Sequence, residues 1–218
     1  MLRTRLDLSV YLVTDTALCG ALGVPATVAA AARAGVSAVQ LRDPAAGDDE
    51  LVELGRALVR ALHGTGVPLL VNDRVHLVEA IGAHGAHVGQ SDLDVRAARE
   101  MLGPQAWLGL SVQTVEHVEQ ARAALALGPH TLDYLGVGPV WPQATKPDAA
   151  EPGGVKRLRA IGAASPWPCV AIGGIDAARA RLVRGTGAAG VAVVSAICGQ
   201  PDVAGAARAL RAAWEGAR

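Results

Sequence analysis

Apolar residues in this chain fall into two rhythms that alternate from end to end. Runs that are apolar on consecutive positions occur at 8–14, 38–42, 67–71, 86–88, 107–111, 134–137, 169–172 and 191–194. Such runs suit strands buried on both faces, as in a parallel sheet. Between them, segments 24–34, 48–62, 74–81, 95–102, 114–127, 155–161, 177–184 and 203–214 carry apolar residues at helical spacing, with Arg and Glu on the other side. That spacing predicts amphipathic helices, each packed by one face.

The alternation implies a repeated strand–helix unit, and a weak internal repeat agrees with it. Ala34-Gly35-Val36, Ile81-Gly82-Ala83, Leu127-Gly128-Pro129 and Thr186-Gly187-Ala188 each close a helical pattern just ahead of a strand. Glycine there suits the left-handed residue that ends many helices. Eight units favour an α/β fold, a single-domain (β/α)8 TIM barrel over residues 1–218, near the lower end of that fold's size. A doubly wound open sheet is the alternative, disfavoured because the first turn lacks a glycine-rich phosphate loop.

In a barrel of this kind the chemistry sits where strands end. Gln40 and Arg42 close the second strand, Asn72 and Asp73 follow the third, Gln90 and Asp92 follow the fourth, and Ser111 ends the fifth. A loop punctuated by Gly and Pro, 138–154, follows the sixth strand and carries Thr145 and Lys146. Gly173-Gly174 follows the seventh strand and Ser195 the eighth. Glycine lets backbone N–H groups approach an oxyanion, although a Gly-Gly pair by itself is equally a tight turn without a ligand. Asp73 and Asp92, on adjacent strands, could share one hard cation. A lone carboxylate pair suits Mg²⁺, which keeps waters and takes further oxygens from substrate phosphates. The plainer reading pairs Asp73 with Arg74, or has each carboxylate cap the helix after it. Arg42 and Lys146 would face the same cavity and could neutralise a departing diphosphate.

Composition narrows the field. The 218 residues are 51% hydrophobic and 18% charged, which is a folded chain with a sizeable core rather than a disordered one. Basic and acidic residues number 20 each, so no overall field draws nucleic acid or an anionic membrane, and any bound anion must be held locally. Only two lysines occur, Lys146 and Lys156, and a single asparagine, Asn72. Lys146 and Asn72 both fall on the expected rim; Lys156 reads as a solvated helix residue. Cys19, Cys169 and Cys198 show no metal or disulfide spacing and read as small buried thiols. Residues 1–7 lack a signal-peptide core and no apolar run spans a membrane, which implies a cytoplasmic setting. A homo-oligomer is left open. Of the six histidines, His87 reads as a core residue, while His63, His76, His84, His117 and His130 show no metal-ligand pattern.

In order and spacing, these segments resemble the thiamine-phosphate synthase family through nearly the whole chain. The resemblance is carried by Tyr11-Leu12-Val13-Thr14-Asp15, Val39-Gln40-Leu41-Arg42, Val71-Asn72-Asp73-Arg74 and His87-Val88-Gly89-Gln90-Ser91-Asp92-Leu93. It continues in Gly109-Leu110-Ser111, Asp133-Tyr134-Leu135-Gly136-Val137-Gly138-Pro139-Val140, Thr145-Lys146-Pro147-Asp148, Ala171-Ile172-Gly173-Gly174-Ile175 and Val193-Val194-Ser195-Ala196-Ile197.

The resemblance implies a (β/α)8 transferase of thiamine biosynthesis. Such an enzyme joins 4-amino-2-methyl-5-hydroxymethylpyrimidine diphosphate to 4-methyl-5-(2-hydroxyethyl)thiazole phosphate and releases diphosphate. It places the pyrimidine diphosphate against Gln40, Leu41, Arg42, Asp43, Pro44, Asn72, Ser111 and Lys146, with Arg42, Ser111 and Lys146 as the catalytic set. Mg²⁺ is implied on Asp73 and Asp92, and the thiazole phosphate at Gln143, Ala144, Thr145, Gly174, Val194 and Ser195. Diphosphate would leave first, and the thiazole nitrogen would attack the resulting pyrimidine methylene cation, so no general base is needed.

Two departures stand out. The family pattern Gln-x-Arg-x-Lys is here Gln40-Leu41-Arg42-Asp43-Pro44, one ammonium short. Gln143 stands where the family often has threonine, and Glu151-Pro152-Gly153-Gly154 closes the loop unusually. The rival readings are a thiazole tautomerase and a barrel that binds a phosphorylated metabolite without turnover. Gln113, two residues after Ser111, cannot act as a general acid or base, which disfavours the tautomerase.

Overall fold

The computed structural model describes residues 5–124, 132–146 and 150–216. Eight parallel strands close on themselves: β1 (Val10–Val13), β2 (Ala38–Leu41), β3 (Leu69–Asn72), β4 (Gly85–Val88), β5 (Trp107–Val112), β6 (Tyr134–Val137), β7 (Cys169–Ile172) and β8 (Gly190–Val193). Each pairs with its sequence neighbour, and Leu12 opposite Val193 closes β8 onto β1. The strands expected from the apolar runs are all present, with ends shifted by a residue or two.

Strand alternation divides the core into two shells. Val10, Leu12, Leu41, Leu69 and Val71 point outward into the layer between strands and helices. Tyr11, Val13, Ala38, Leu70, Tyr134, Val170 and Ala192 point inward and fill the barrel. Both faces of each strand are therefore covered, which is why polar alternation is absent from the sequence.

The outer layer comprises α1 (Thr16–Cys19), α2 (Val24–Arg33), α3 (Asp48–Leu62), α4 (Val78–Ile81), α5 (Val95–Leu102), α6 (Val115–Ala124), α7 (Gly154–Ala164), α8 (Ala177–Arg184) and α9 (Val203–Glu215). In α3, Leu51, Gly55, Leu58 and Leu62 form the buried stripe, while Asp48, Asp49 and Glu50 occupy the first turn, where the helix dipole favours negative charge. A Cβ at Gly55 would lie 2.7 Å from Ile81 Cγ2, so this glycine lets α3 and α4 approach closely. Aspartates cap four helices: Asp15 on α1, Asp94 on α5, Asp176 on α8 and Asp202 on α9.

Two segments differ from the sequence expectation. The single helix expected over 74–81 is a 3-10 turn, Val75–Leu77, followed by the four-residue α4. Asp73 has a positive φ of 58° and Arg74 a ψ of 69°, so no regular helical start exists there, and left-handed Gly82 ends α4. The short α1, and the 3-10 turn Gly20–Leu22 after it, are additions too brief to leave a periodic pattern. Residues 125–127 of the expected sixth helix, the Leu127-Gly128-Pro129 phrase, His130 and the Pro147-Asp148 pair lie outside the described residues. Of the other glycine phrases, Gly82 ends its helix in the left-handed conformation as expected. Gly35, with φ of 121°, instead follows the Ala34 cap of α2, and Gly187, with φ of 86°, lies in the turn beyond Gly185, which caps α8.

Candidate active site

The C-terminal ends of the strands surround a cavity of about 1410 Å³. Its wall includes Gln40, Arg42, Asp43, Pro44, Asn72, Asp73, Asp92, Ser111, Gln143, Ala144, Thr145, Lys146, Gly174, Val194 and Ser195. Leu41 is the exception among the expected site residues. It is fully buried in the outer shell, because its neighbour Gln40 takes the inward direction on β2.

The loop after β2 is shaped by Asp43. Its carboxylate accepts from Thr16 Oγ1 at 2.7 Å and from the N–H groups of Ala45 and Ala46 at 3.1 and 3.3 Å. Arg42 is held at its backbone, where its N–H donates to Thr14 Oγ1 at 3.0 Å.

Asp73 and Asp92 line the cavity side by side, with their carboxylates in contact. Partial desolvation, and then the neighbouring Asp92 carboxylate, push the Asp73 pKa up to about 7. Asn72 Nδ2 donates to Asp73 Oδ2 at 2.6 Å, and Gly89 N–H donates to Asp92 Oδ2 at 2.7 Å. Neither carboxylate takes the plainer role: Arg74 pairs with Asp48 at 3.1 Å, and α5 is capped by Asp94. No cluster of three or more His, Cys, Asp or Glu occurs among the described residues. Two converging carboxylates with no soft donors fit a hard cation that draws its other ligands from water and phosphate.

The loop after β6 is pinned to the end of β7. Val140 N–H donates to Ile172 O at 2.9 Å and Trp141 N–H to Gly173 O at 3.1 Å. This explains Gly173-Gly174. A Cβ at Gly173 would lie 2.6 Å from Pro139 Cα, and one at Gly174 would lie 2.4 Å from Pro142 O. Within the loop, Gln143 Oε1 accepts from Thr145 Oγ1 at 2.9 Å and from Lys146 N–H at 2.8 Å, and Gln143 Nε2 donates to Lys146 O at 2.6 Å. Gln143 is thus the internal brace of the segment that carries Lys146.

Ser111 is fixed from two sides. Gln90 Nε2 donates to its carbonyl oxygen at 2.6 Å, and His87 Nε2 lies 2.8 Å from its Oγ. Burial, and then the Lys146 charge, hold the His87 pKa down at about 4, so its imidazole is neutral. His87 is a core residue as expected, yet it also touches the rim.

Sequence reasoning passed over Arg74, Arg179, Tyr11 and Tyr134. Arg74 and Arg179 add to Arg42 and Lys146 on the cavity wall. Arg179 stacks over Trp141, 5.3 Å from the ring centroid, and donates to Gly174 O, joining α8 to the loop. The available signal for the tyrosines was rarity, since the chain has only two.

A closed parallel barrel whose strand ends gather carboxylates, cations and glycine-lined backbone into one cavity is a (β/α)8 enzyme acting on phosphorylated small molecules. Residues 10–197 match the model of the thiamine monophosphate synthase family. The chain belongs to that family, and its activity is that of a transferase making thiamine phosphate. A thiamine-phosphate synthase of Psychrobacter sp. is 48% identical over 203 residues, covering 93% of each chain. One from Azorhizobium caulinodans is 46% identical over 212 residues, covering 97% of each. A solved thiamine phosphate pyrophosphorylase from Pyrococcus furiosus superposes with a TM-score of 0.84 at 32% identity, covering 97% of this chain and 98% of that one.

Proposed function

We propose that the cavity transfers the aminopyrimidine methylene group of 4-amino-2-methyl-5-hydroxymethylpyrimidine diphosphate to the nitrogen of 4-methyl-5-(2-hydroxyethyl)thiazole phosphate. The observation that carries this reading is the convergence of Asp73, Asp92, Arg42 and Lys146 on one cavity. Arg42 and Lys146 bind the diphosphate oxygens and stabilise the charge that develops as the C–O bond breaks. Gln40, Asn72 and Ser111 hold the heterocycle and its substituents by neutral hydrogen bonds. Gly174, Val194 and Ser195 offer the thiazole phosphate a backbone-lined seat, with the brace Gln143 presenting Thr145 beside it. Asp73 and Asp92 would hold Mg²⁺. When bound, Mg²⁺ supplies charge neutralisation to the leaving diphosphate.

Pro44 supplies no cation, whereas Arg74 and Arg179 border the same cavity and leave the wall with four basic side chains among the described residues. We place the protein in the cytoplasm, in keeping with three free buried thiols. No single helix among the described residues is long and apolar enough to cross a membrane.

The test is turnover by the purified protein with both substrates and Mg²⁺, following thiamine phosphate and diphosphate. Asp92→Asn keeps an oxygen for the Gly89 N–H and removes the charge. It is expected to lose Mg²⁺-dependent turnover with an unchanged melting temperature. Wild-type turnover by this variant would remove Asp92 from the metal role.

A further inference from the structure

The two tyrosines of the chain meet inside the barrel beneath the site. Gln40 Nε2 donates to Tyr11 Oη at 3.0 Å, and the two tyrosine hydroxyls lie 2.8 Å apart. Tyr134 Oη lies 2.9 Å from His87 Nδ1, and His87 Nε2 lies 2.8 Å from Ser111 Oγ. Five side chains from five strands thus form one hydrogen-bonded chain that crosses the interior and surfaces at Ser111.

Counting protons sets its direction. An amide nitrogen only donates, so Gln40 occupies a lone pair of the Tyr11 oxygen. Tyr11 is 1% exposed and has one proton left to place, with the Tyr134 oxygen as its acceptor. Tyr134 then directs its own proton to His87 Nδ1. A neutral imidazole carries one N–H, so Nε2 is the donor, and it points at Ser111 Oγ. The Ser111 proton is left for the cavity. The reverse direction would strand the Tyr11 proton in the barrel interior, where an unmade hydrogen bond is costly.

The sequence makes room for this arrangement. A Cβ at Gly109 would lie 2.2 Å from Tyr134 Cζ and 2.5 Å from His87 Nδ1, and one at Gly136 would lie 2.9 Å from His87 Cε1. Glycines on β5 and β6 therefore form the slot in which both rings sit.

We propose that this relay is a positioning device: Gln40, acting through Tyr11 and Tyr134, fixes His87 as its Nε2–H tautomer and so holds Ser111 as a hydrogen-bond donor toward the substrate. His87 is then a positioning residue and not a base. Ser111, with one lone pair already taken, favours an acceptor such as a phosphate oxygen or an unprotonated ring nitrogen. Gln40 also lines the cavity, and with its nitrogen engaged by the tyrosine pair its carbonyl oxygen is the group left to take an N–H donor.

The tautomer can be read directly by NMR on protein labelled with ¹⁵N-histidine, without substrate. The His87 signal is assigned by its loss in His87→Gln. The expected spectrum shows a protonated Nε2 and an unprotonated Nδ1; a protonated Nδ1 would overturn the proposal. Tyr134→Phe keeps the ring and cuts the relay. It is expected to mix the two His87 tautomers and to lower kcat about tenfold, while a wild-type tautomer with wild-type kcat overturns the proposal. His87→Gln can still donate to Ser111 and is expected to retain about tenfold more kcat than His87→Leu; equal kcat in the two counts against the donor role. The activity arm rests on the synthase reading and the spectroscopic arm does not. Failure of wild-type turnover would sink that reading while leaving the tautomer to be judged alone.

Discussion

Arg99 on α5 reaches across to Asp133, just ahead of β6, with Nη2 3.1 Å from Oδ2. The same carboxylate oxygen accepts from Leu108 N–H at 2.7 Å, and Arg99 Nη1 also donates to the carbonyls of Gly103 and Ala106 at 2.8 and 2.7 Å. One guanidinium thus ties α5, the turn after it and the start of β5 to the start of β6, at the end of the barrel away from the cavity. Both side chains are largely buried, at 12% and 16% exposure, so removing the cation leaves a poorly solvated carboxylate. Arg99→Ala is expected to destabilise the fold by about 2–3 kcal/mol, at or below the usual range for breaking a buried pair. Urea denaturation measures this, and kcat should be unchanged. A large fall in kcat with intact stability would show that the pair reaches the site.

Gly136 offers a steric test of the barrel interior. Its Cβ would stand 2.9 Å from His87 Cε1, closer than real side chains tolerate, so Gly136→Ala must displace the imidazole. Overpacking of this kind costs about 1–3 kcal/mol. The expected result is a lower melting temperature together with a lower kcat, because the displaced ring is the one that touches Ser111. Wild-type values for both would mean that the ring relocates without consequence.

Burial makes Tyr11 a weaker acid. Its pKa is pushed up to about 12, and that of Tyr134 rises as well. The folded state holds the Tyr11 proton more tightly than the unfolded chain does. The resulting stability is complete below about pH 10 and is lost as the pH climbs toward 12, amounting to about 3 kcal/mol across that window. Denaturation between about pH 9 and 11.5 should show wild type losing stability more steeply than Tyr11→Phe. Parallel curves would show that Tyr11 ionises in the folded state as readily as in the unfolded one.

The strands were legible because both of their faces are buried, so apolar runs announced them without any tertiary information. Helix α3 was equally plain, its stripe of Leu51, Leu58 and Leu62 set against an acidic first turn. The segment after β3 was not, because the positive φ of Asp73 belongs to the rim and interrupts a pattern that would otherwise read as helix. At the site, residues that follow strand ends could be placed by position alone. Leu41 could not, since facing direction on β2 is settled only by which neighbour turns inward. Tyr11 and Tyr134 were hidden for another reason. In sequence each is one more large residue in an apolar strand, and only the closing of the barrel brings residues 123 positions apart to within 2.8 Å.

The glycine slot on β5 and β6 bears on how this protein could be stabilised. Filling interior space with larger side chains is an ordinary way to raise a melting temperature. Here the space at Gly109 and Gly136 is already occupied by His87 and Tyr134; His87 touches Ser111 at the cavity, and Tyr134 bonds His87 from below. Thermostable variants should therefore be sought in the outer shell of helices. A selection that accepts changes on the inner face of the strands would trade turnover for stability.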